Sequence, residues 1–180
     1  ILGMGASTIF KNKDATDLSV IFGVYQPNVV IDSIAIDGNK DTITVDAEYK
    51  NNGIYANGAA GQNGYGDNVT VQNCFIYDTY LNGISGSQVA QANILNNRIW
   101  NTGVDGAGYG GHGIYLSYSY NVHIEGNTIQ PYSGMAIKFT GEYRNEVVPY
   151  QLSTITNNIC LGNRIELYGV SHVLVDGNLI

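Results

Sequence analysis

The chain has 180 residues, a formal net charge of −7 and a sequence pI near 4.6. That length buries one core and seldom two, so a single domain over 1–180 is expected. The acidic balance excludes a nucleic-acid partner, which needs a large positive surface. The lack of any apolar run of about eighteen residues excludes a helical membrane span. Only 13% of residues are charged, while Gly (23) and Tyr (14) are abundant, the vocabulary of many short strands and turns.

In chain order, one strand-bend-strand pattern recurs seven times. It reads apolar, spacer, apolar, two turn residues, a small or Asn position, spacer, apolar. The copies begin at Leu2, Val29, Val69, Ala92, Val122, Ser153 and Val173 and end at Ile9, Ile36, Ile76, Ile99, Ile129, Cys160 and Ile180. Their internal spacing is constant. Between copies falls a small residue followed by Ile, at Ile21, Ile54, Ile84, Ile114, Ile137 and Ile165. Three short strands per rung result, and alternation turns every second side chain inward.

Stacked rungs of this kind predict an all-β, right-handed, single-stranded parallel β-helix of about six to seven rungs. At the tight bend Asn97, Asn127, Asn158 and Asn178 share one column and are expected to form an amide ladder, which Ser7, Ile34 and Cys74 extend with other residues. A β-sandwich would not hold so constant a spacing. Cys74 and Cys160 fall three rungs apart, roughly 14 Å of stacking, so both are expected as free, buried thiols. Both ends of the chain lie inside the repeat without a polar cap, so it is expected to be a segment of a longer protein.

Insertions are unevenly distributed. From the post-bend strand to the Ile motif the interval is 8 residues at Ile76 to Ile84, but 18 at Ile36 to Ile54 and 15 at Ile99 to Ile114. Beyond the motif it stretches to 15 at Ile54 to Val69 and 16 at Ile137 to Ser153. Loops on a rigid scaffold carry binding, so the Ile-motif sheet is expected to floor a groove walled on both sides. The position after each Ile forms an outward ladder of Phe22, Tyr55, Ser85, Tyr115, Lys138 and Glu166. Tyr65, Tyr109, Tyr118, Tyr120, Tyr143, Tyr150 and Trp100 are placed in or beside the adjoining turns. Such amphipathic rings suit sugars.

Of the eight Lys and Arg residues, Lys138, Arg144 and Arg164 fall on or beside successive groove rungs. There they could neutralise a uronate carboxylate, the step that makes its C5 proton removable. Lys138 is a candidate base and Tyr115 or Tyr143 a candidate proton donor. The plainer reading makes Lys138 and Glu166 a surface ion pair. Candidate catalytic residues are thus His112, Lys138, Arg164 and Tyr115, and candidate substrate contacts are Tyr55, Tyr109, Arg144, Tyr143 and Glu166. No metal site is assigned. Calcium is the one cofactor considered, because Asp41, Asp46, Glu48, Asp67 and Asp105 lie in the groove-wall loops. A carboxylate pair such as Glu142 with Glu166 would suit glycoside hydrolysis.

Across its whole length the pattern resembles the right-handed β-helix superfamily of pectate lyases, mannuronan epimerases, some alginate and chondroitin lyases and phage tailspikes. The stretch Gly111-His112-Gly113-Ile114 resembles the His-Gly-Phe segment of mannuronan epimerases, whose His is an active-site residue. Asp37-Gly38-Asn39-Lys40-Asp41 is similar to their Asp-Gly-Asn-Arg-Asp turn. Where those enzymes carry Tyr-Gly-Phe-Asp-Pro-His, this chain has Asn82, Gly83, Ile84, Ser85, Gly86 and Ser87. Their Tyr, Asp and second His are absent.

The resemblance implies an extracellular polysaccharide-modifying protein, lyase- or epimerase-like, acting on an acidic glycan. A second reading is a non-catalytic glycan-binding segment of a tailspike or surface protein, homotrimeric in the tailspike case. A third is a structural solenoid.

Overall fold

The computed structural model describes residues 1–12, 20–42, 51–58, 67–104, 111–141 and 152–180. It contains three parallel sheets of six strands each. The groove sheet carries the Ile motif and runs from Val20–Val24 through Asn52–Asn57, Ile84–Ser87, Ile114–Ser117 and Ile137–Thr140 to Ile165–Tyr168. The pre-bend sheet begins at Val30–Asp32 and ends at Val173–Asp176, and the post-bend sheet begins at Ile9–Lys11 and ends at Ile159–Cys160. Each strand pairs with the equivalent strand one rung away, so backbone hydrogen bonds run along the coil axis.

The inward columns are the ones the repeat predicts. Ile54, Ile84, Ile114 and Ile137 pair in sequence and are at most 3% exposed, as are Ile31, Val71, Ile94, Ile124 and Ile155 in the pre-bend sheet. Ile36, Ile76, Ile99, Ile129 and Cys160 complete the triangle. Each such side chain contributes about 1.5–3 kcal/mol of burial. The small residue ahead of the Ile has a steric origin. A Cβ at Gly113 would stand 2.2 Å from Cγ2 of Ile129, and the equivalent atoms at Gly53 and Gly83 would meet Cγ2 of Ile76 and Ile99.

The constant two-residue bend also has a local cause. Its first residue takes a positive φ in every described rung from Ser33 onward, as in Asn73, Asn96, Gly126, Asn157 and Gly177. Gly and Asn adopt that conformation most readily. The second residue is the ladder position. Asn97 donates its amide to Asn127 at 3.0 Å, Asn127 to Asn158 and Asn158 to Asn178 at 2.9 Å each. Each Oδ1 also accepts the backbone N–H of the neighbouring ladder residue, and the chain of acceptors continues to the N–H of Cys74. Polar groups as buried as Asn127 and Asn158, both 0% exposed, are thereby satisfied. Cys74 and Cys160 are free and buried, as the register requires.

The first rung departs from the expected spacing. Phe10, not Ile9, pairs with Ile36, and Phe22, not Ile21, pairs with Ile54. Leu2 bridges to Asp32 instead of aligning with Val29, and a short 3-10 turn occupies Gly5–Ser7. The two rings meet edge to face at 4.8 Å. An aromatic pair offers more apolar area and a favourable ring geometry than the two Ile residues would. Gly23 therefore replaces Phe22 at the head of the outward groove ladder.

Candidate functional site

The outward ladder of the groove sheet holds from its second rung onward. Tyr55, Ser85, Tyr115, Lys138 and Glu166 are successive partners on adjacent strands. At a strand separation of roughly 4.8 Å these side chains touch or nearly touch one another. Lys138 Nζ lies 3.2 Å from Glu166 Oε1, and a guanidinium nitrogen of Arg164 lies 3.2 Å from Glu166 Oε2. One carboxylate thus engages both cations. Its hydrogen bonds to Lys138 and Arg164 hold the Glu166 carboxyl below the usual carboxylate range. The expected surface pair is therefore present, and it occupies the ammonium expected as a base.

His112 is built differently from the ladder. It stands two residues before Ile114, in the same column as Asn52 and Asn82, at the corner of the coil. Asn82 donates its amide to Asn52 Oδ1 at 2.9 Å, the backbone N–H of His112 donates to Asn82 Oδ1 at 2.9 Å, and the N–H of Met135 donates to His112 Nδ1 at 2.8 Å. This is a second amide ladder in which the imidazole takes over the acceptor role of an Asn side chain.

Because Nδ1 accepts, the neutral ring carries its proton on Nε2. His112 is 6% exposed. Burial first, and then repulsion from the Lys138 ammonium, push its pKa down to about 4 despite the opposing pull of Glu166. The ring lies 5.4 Å from that of Tyr115, tilted by 56°. Near neutral pH, His112 is therefore an uncharged hydrogen-bond donor beside the groove ladder, and its Nδ1 is committed to the backbone.

Gly134 makes this placement sterically possible. Its φ is +74°, and a Cβ there would fall 2.3 Å from the Gly111 carbonyl oxygen and 2.7 Å from His112 Nδ1.

Four of the expected site residues, His112, Tyr115, Lys138 and Arg164, thus fall on consecutive groove rungs with Glu166. Tyr55 lies two rungs from Tyr115 in the same ladder, half-buried, and burial followed by the nearby Tyr25 raises its phenol. Tyr109, Tyr143 and Arg144 lie outside the described residues, as do Tyr65, Tyr150, Glu142 and the acidic residues Asp46, Glu48 and Asp105.

Trp100 ends strand Arg98–Trp100 of the post-bend sheet, immediately before the turn that begins at Asn101, and faces outward there. Among the described residues no three His, Cys, Asp or Glu side chains converge on a point that could hold a metal ion. Asp67 instead accepts the Ala90 N–H at 2.9 Å.

Spacing alone does not single out the role of Lys40. It is 8% exposed in the turn entering the groove sheet, with Nζ donating to the Asn101 backbone and side-chain oxygens at 2.8 Å and to the Gly103 carbonyl at 3.0 Å. It also lies 4.5 Å from the centre of the Tyr132 ring. These contacts tie successive turns on one side of the groove together, so the Asp37–Asp41 segment acts here as a brace.

The chain belongs to the right-handed β-helix family: the model described as "Right handed beta helix region" matches residues 5–180. Among solved structures it is similar to the A-module of mannuronan C-5 epimerase AlgE6 from Azotobacter vinelandii, with a TM-score of 0.51 and 18% identity. That match covers 95% of this chain and 51% of the other, so the chain spans about half the length of that structure. At this identity the likeness is one of fold. A comparison with curated proteins finds no match.

Proposed function

We propose that this protein acts on a polysaccharide, holding an acidic glycan along the outward ladder of the groove sheet. The observation that carries the reading is the continuous run Tyr55, Ser85, Tyr115, Lys138 and Glu166 with Arg164 beside it. Aromatic rings offer faces to sugar C–H groups, and the two cations offer a counter-charge to a uronate carboxylate. The fold shared with an epimerase module supports the same class of substrate. The setting that suits such a substrate is extracellular.

The chemistry that fits is removal of the uronate C5 proton, of lyase or epimerase type. Lys138 and Arg164 would draw charge from the carboxylate and so acidify C5–H, and the Nε2–H of neutral His112 would add a donor. With Nδ1 of His112 and the Lys138 ammonium both engaged, proton transfer falls to Tyr115, which as a phenolate would take the C5 proton and, in a lyase, hand it to the departing C4 oxygen. No hydrogen bond to its hydroxyl is found among the described residues. In a lyase the electron pair left at C5 expels the C4 oxygen and forms a double bond. In an epimerase solvent water would deliver a proton to the other face of C5 while Tyr115 keeps the one removed.

The experiment is incubation of the full-length protein with uronate and neutral glycans. It follows the absorbance of the new double bond, the reducing ends released and exchange of the C5 hydrogen with solvent. Activity confined to uronates, lost in Y115F and weakened in K138Q with an unchanged Tm, is the expected result. Activity on neutral glycans alone would overturn it. A second reading, a glycan-holding segment of a tailspike or surface protein, is favoured by the engagement of His112 Nδ1 and Lys138. It predicts uronate binding without turnover, and in the tailspike case a homotrimer.

A further inference from the structure

The post-bend sheet carries an outward cluster that the groove does not use. Phe75 pairs with Arg98, and Tyr77 with Trp100, on the adjacent strands Phe75–Tyr77 and Arg98–Trp100. The guanidinium carbon of Arg98 lies 5.1 Å from the centre of the Phe75 ring and 5.2 Å from that of Trp100. Phe75 in turn stacks on Tyr77 at 4.7 Å with an interplanar angle of 26°. The guanidinium thus lies over two rings, one of which stacks on a third.

Its polar edge is unclaimed. Of the five Lys and Arg residues among those described, Lys11 pairs with Asp37, Lys40 is held by turn carbonyls, and Lys138 and Arg164 share Glu166. Arg98 is exposed, and among the described residues no carboxylate or carbonyl receives its N–H groups. The neighbouring acids are committed elsewhere, Asp37 to Lys11 at 2.9 Å and Asp78 to the Asn101 amide at 2.6 Å. In a chain of net charge −7, a ring-contacting guanidinium with no acidic partner among the described residues leaves its charge available to a ligand. Stacking fixes its plane and leaves the donor fork free for a planar, two-oxygen anion.

We propose that Arg98, with Trp100 and Tyr77, forms a second glycan-contact surface, outside the groove, that reads the carboxylate of a uronate residue. The carboxylate would take two guanidinium N–H groups side by side, while the sugar ring lies against the adjacent Trp100 or Tyr77. The choice of a uronate as the carboxylate bearer rests on the acidic-polysaccharide reading of the groove. The surface itself is independent of the groove residues. It would hold a distant stretch of a long chain, adding to groove affinity through a second attachment.

Trp100 is the sole tryptophan of these 180 residues, so the Trp emission that W100F removes from the full-length protein reports on this surface, whereas the described groove ladder offers only tyrosines. Short oligogalacturonates and oligomannuronates are titrated into the full-length protein. Trp emission and heat of binding are followed together, with neutral cello-oligosaccharides as control. Uronates are expected to shift the Trp emission saturably and less so at high salt, with neutral sugars leaving it unchanged.

R98A is expected to weaken that titration by on the order of ten- to a hundredfold. R98K is expected to fail equally, since an ammonium keeps the charge but loses the stacked fork. K138Q is expected to leave the Trp titration unaltered. Uronate-binding heat with silent Trp emission would overturn this proposal and leave the groove reading standing. An R98K titration equal to wild type would overturn it too, because charge alone would then suffice. Trp titration that persists when K138Q abolishes the groove heat would support it independently. The absence of both heat and Trp response would overturn both readings.

Discussion

Replacing His112 by Asn separates what its ring does for the fold from what its ionisation does for stability. An Asn amide oxygen can receive the Met135 N–H as Asn82 receives that of His112, so H112N keeps the corner column and loses the titrating group. In the wild type the folded ring takes up its proton only at about 4, against 6.5 for an ordinary imidazole. Above the higher value neither folded nor unfolded chain is protonated there, and the stability of the neutral ring is fully present. As pH falls between the two values, the unfolded chain binds a proton that the folded one refuses, and stability is lost until the folded ring also titrates. Each pH unit of separation is worth about 1.4 kcal/mol, so the gap amounts to about 3 kcal/mol. The assay is urea unfolding of wild type and H112N near pH 7 and near pH 4. Acid-labile carboxylates such as Glu166 weaken both proteins alike, and the difference between the two losses isolates the imidazole. The wild type should lose about 3 kcal/mol more than H112N. Equal losses would show that the ring is not held neutral, and with that the donor role of Nε2 would fall.

The coil was legible because the bend admits no insertion, and six of the seven copies align in the structure as their spacing predicts. The rung that slips does so where Phe10 and Phe22 each stand next to an Ile. A pattern of apolar letters cannot tell which neighbour turns inward, whereas ring size and the Phe–Phe contact can. Asn52, Asn82 and His112 recur at intervals of 30 residues, so the corner ladder is also written in the sequence. Its meaning depends on an imidazole standing in for an amide, and only hydrogen-bond geometry reveals that. The groove ladder from Tyr55 to Glu166 followed directly from the Ile motif. The Arg98 stack did not, because it joins residues 23 and two positions apart in the chain, and the constant register alone brings Phe75 beside Arg98. The ionic state of the site was equally hidden, since one carboxylate engaging two cations depends on side-chain reach and not on spacing.

Truncating Ile129, which is 0% exposed, to Ala should cost about 2–5 kcal/mol in calorimetry of the full-length protein. Y115A should cost less than about 0.5 kcal/mol, as surface substitutions usually do, and the reverse order would exchange inside for outside. G113A should destabilise by about 1–3 kcal/mol through overpacking against Cγ2 of Ile129. In the I129A background that cost should shrink, so a fully additive double mutant would contradict the close contact. E166Q tests how the groove cations are poised. Glu166 engages both Lys138 and Arg164, the geometry a uronate carboxylate would otherwise seek, so the protein's own carboxylate competes with that of the substrate. Removing its charge leaves two part-exposed cations and forfeits little stability, since such pairs are worth about 0–1 kcal/mol each. Uronate affinity measured by calorimetric titration should therefore rise in E166Q and become more sensitive to salt, while K138Q and R164Q lower it. An affinity that fell in E166Q would instead mean that Glu166 itself contacts the sugar, accepting from its hydroxyls, and that the cations serve mainly to hold that carboxylate in place.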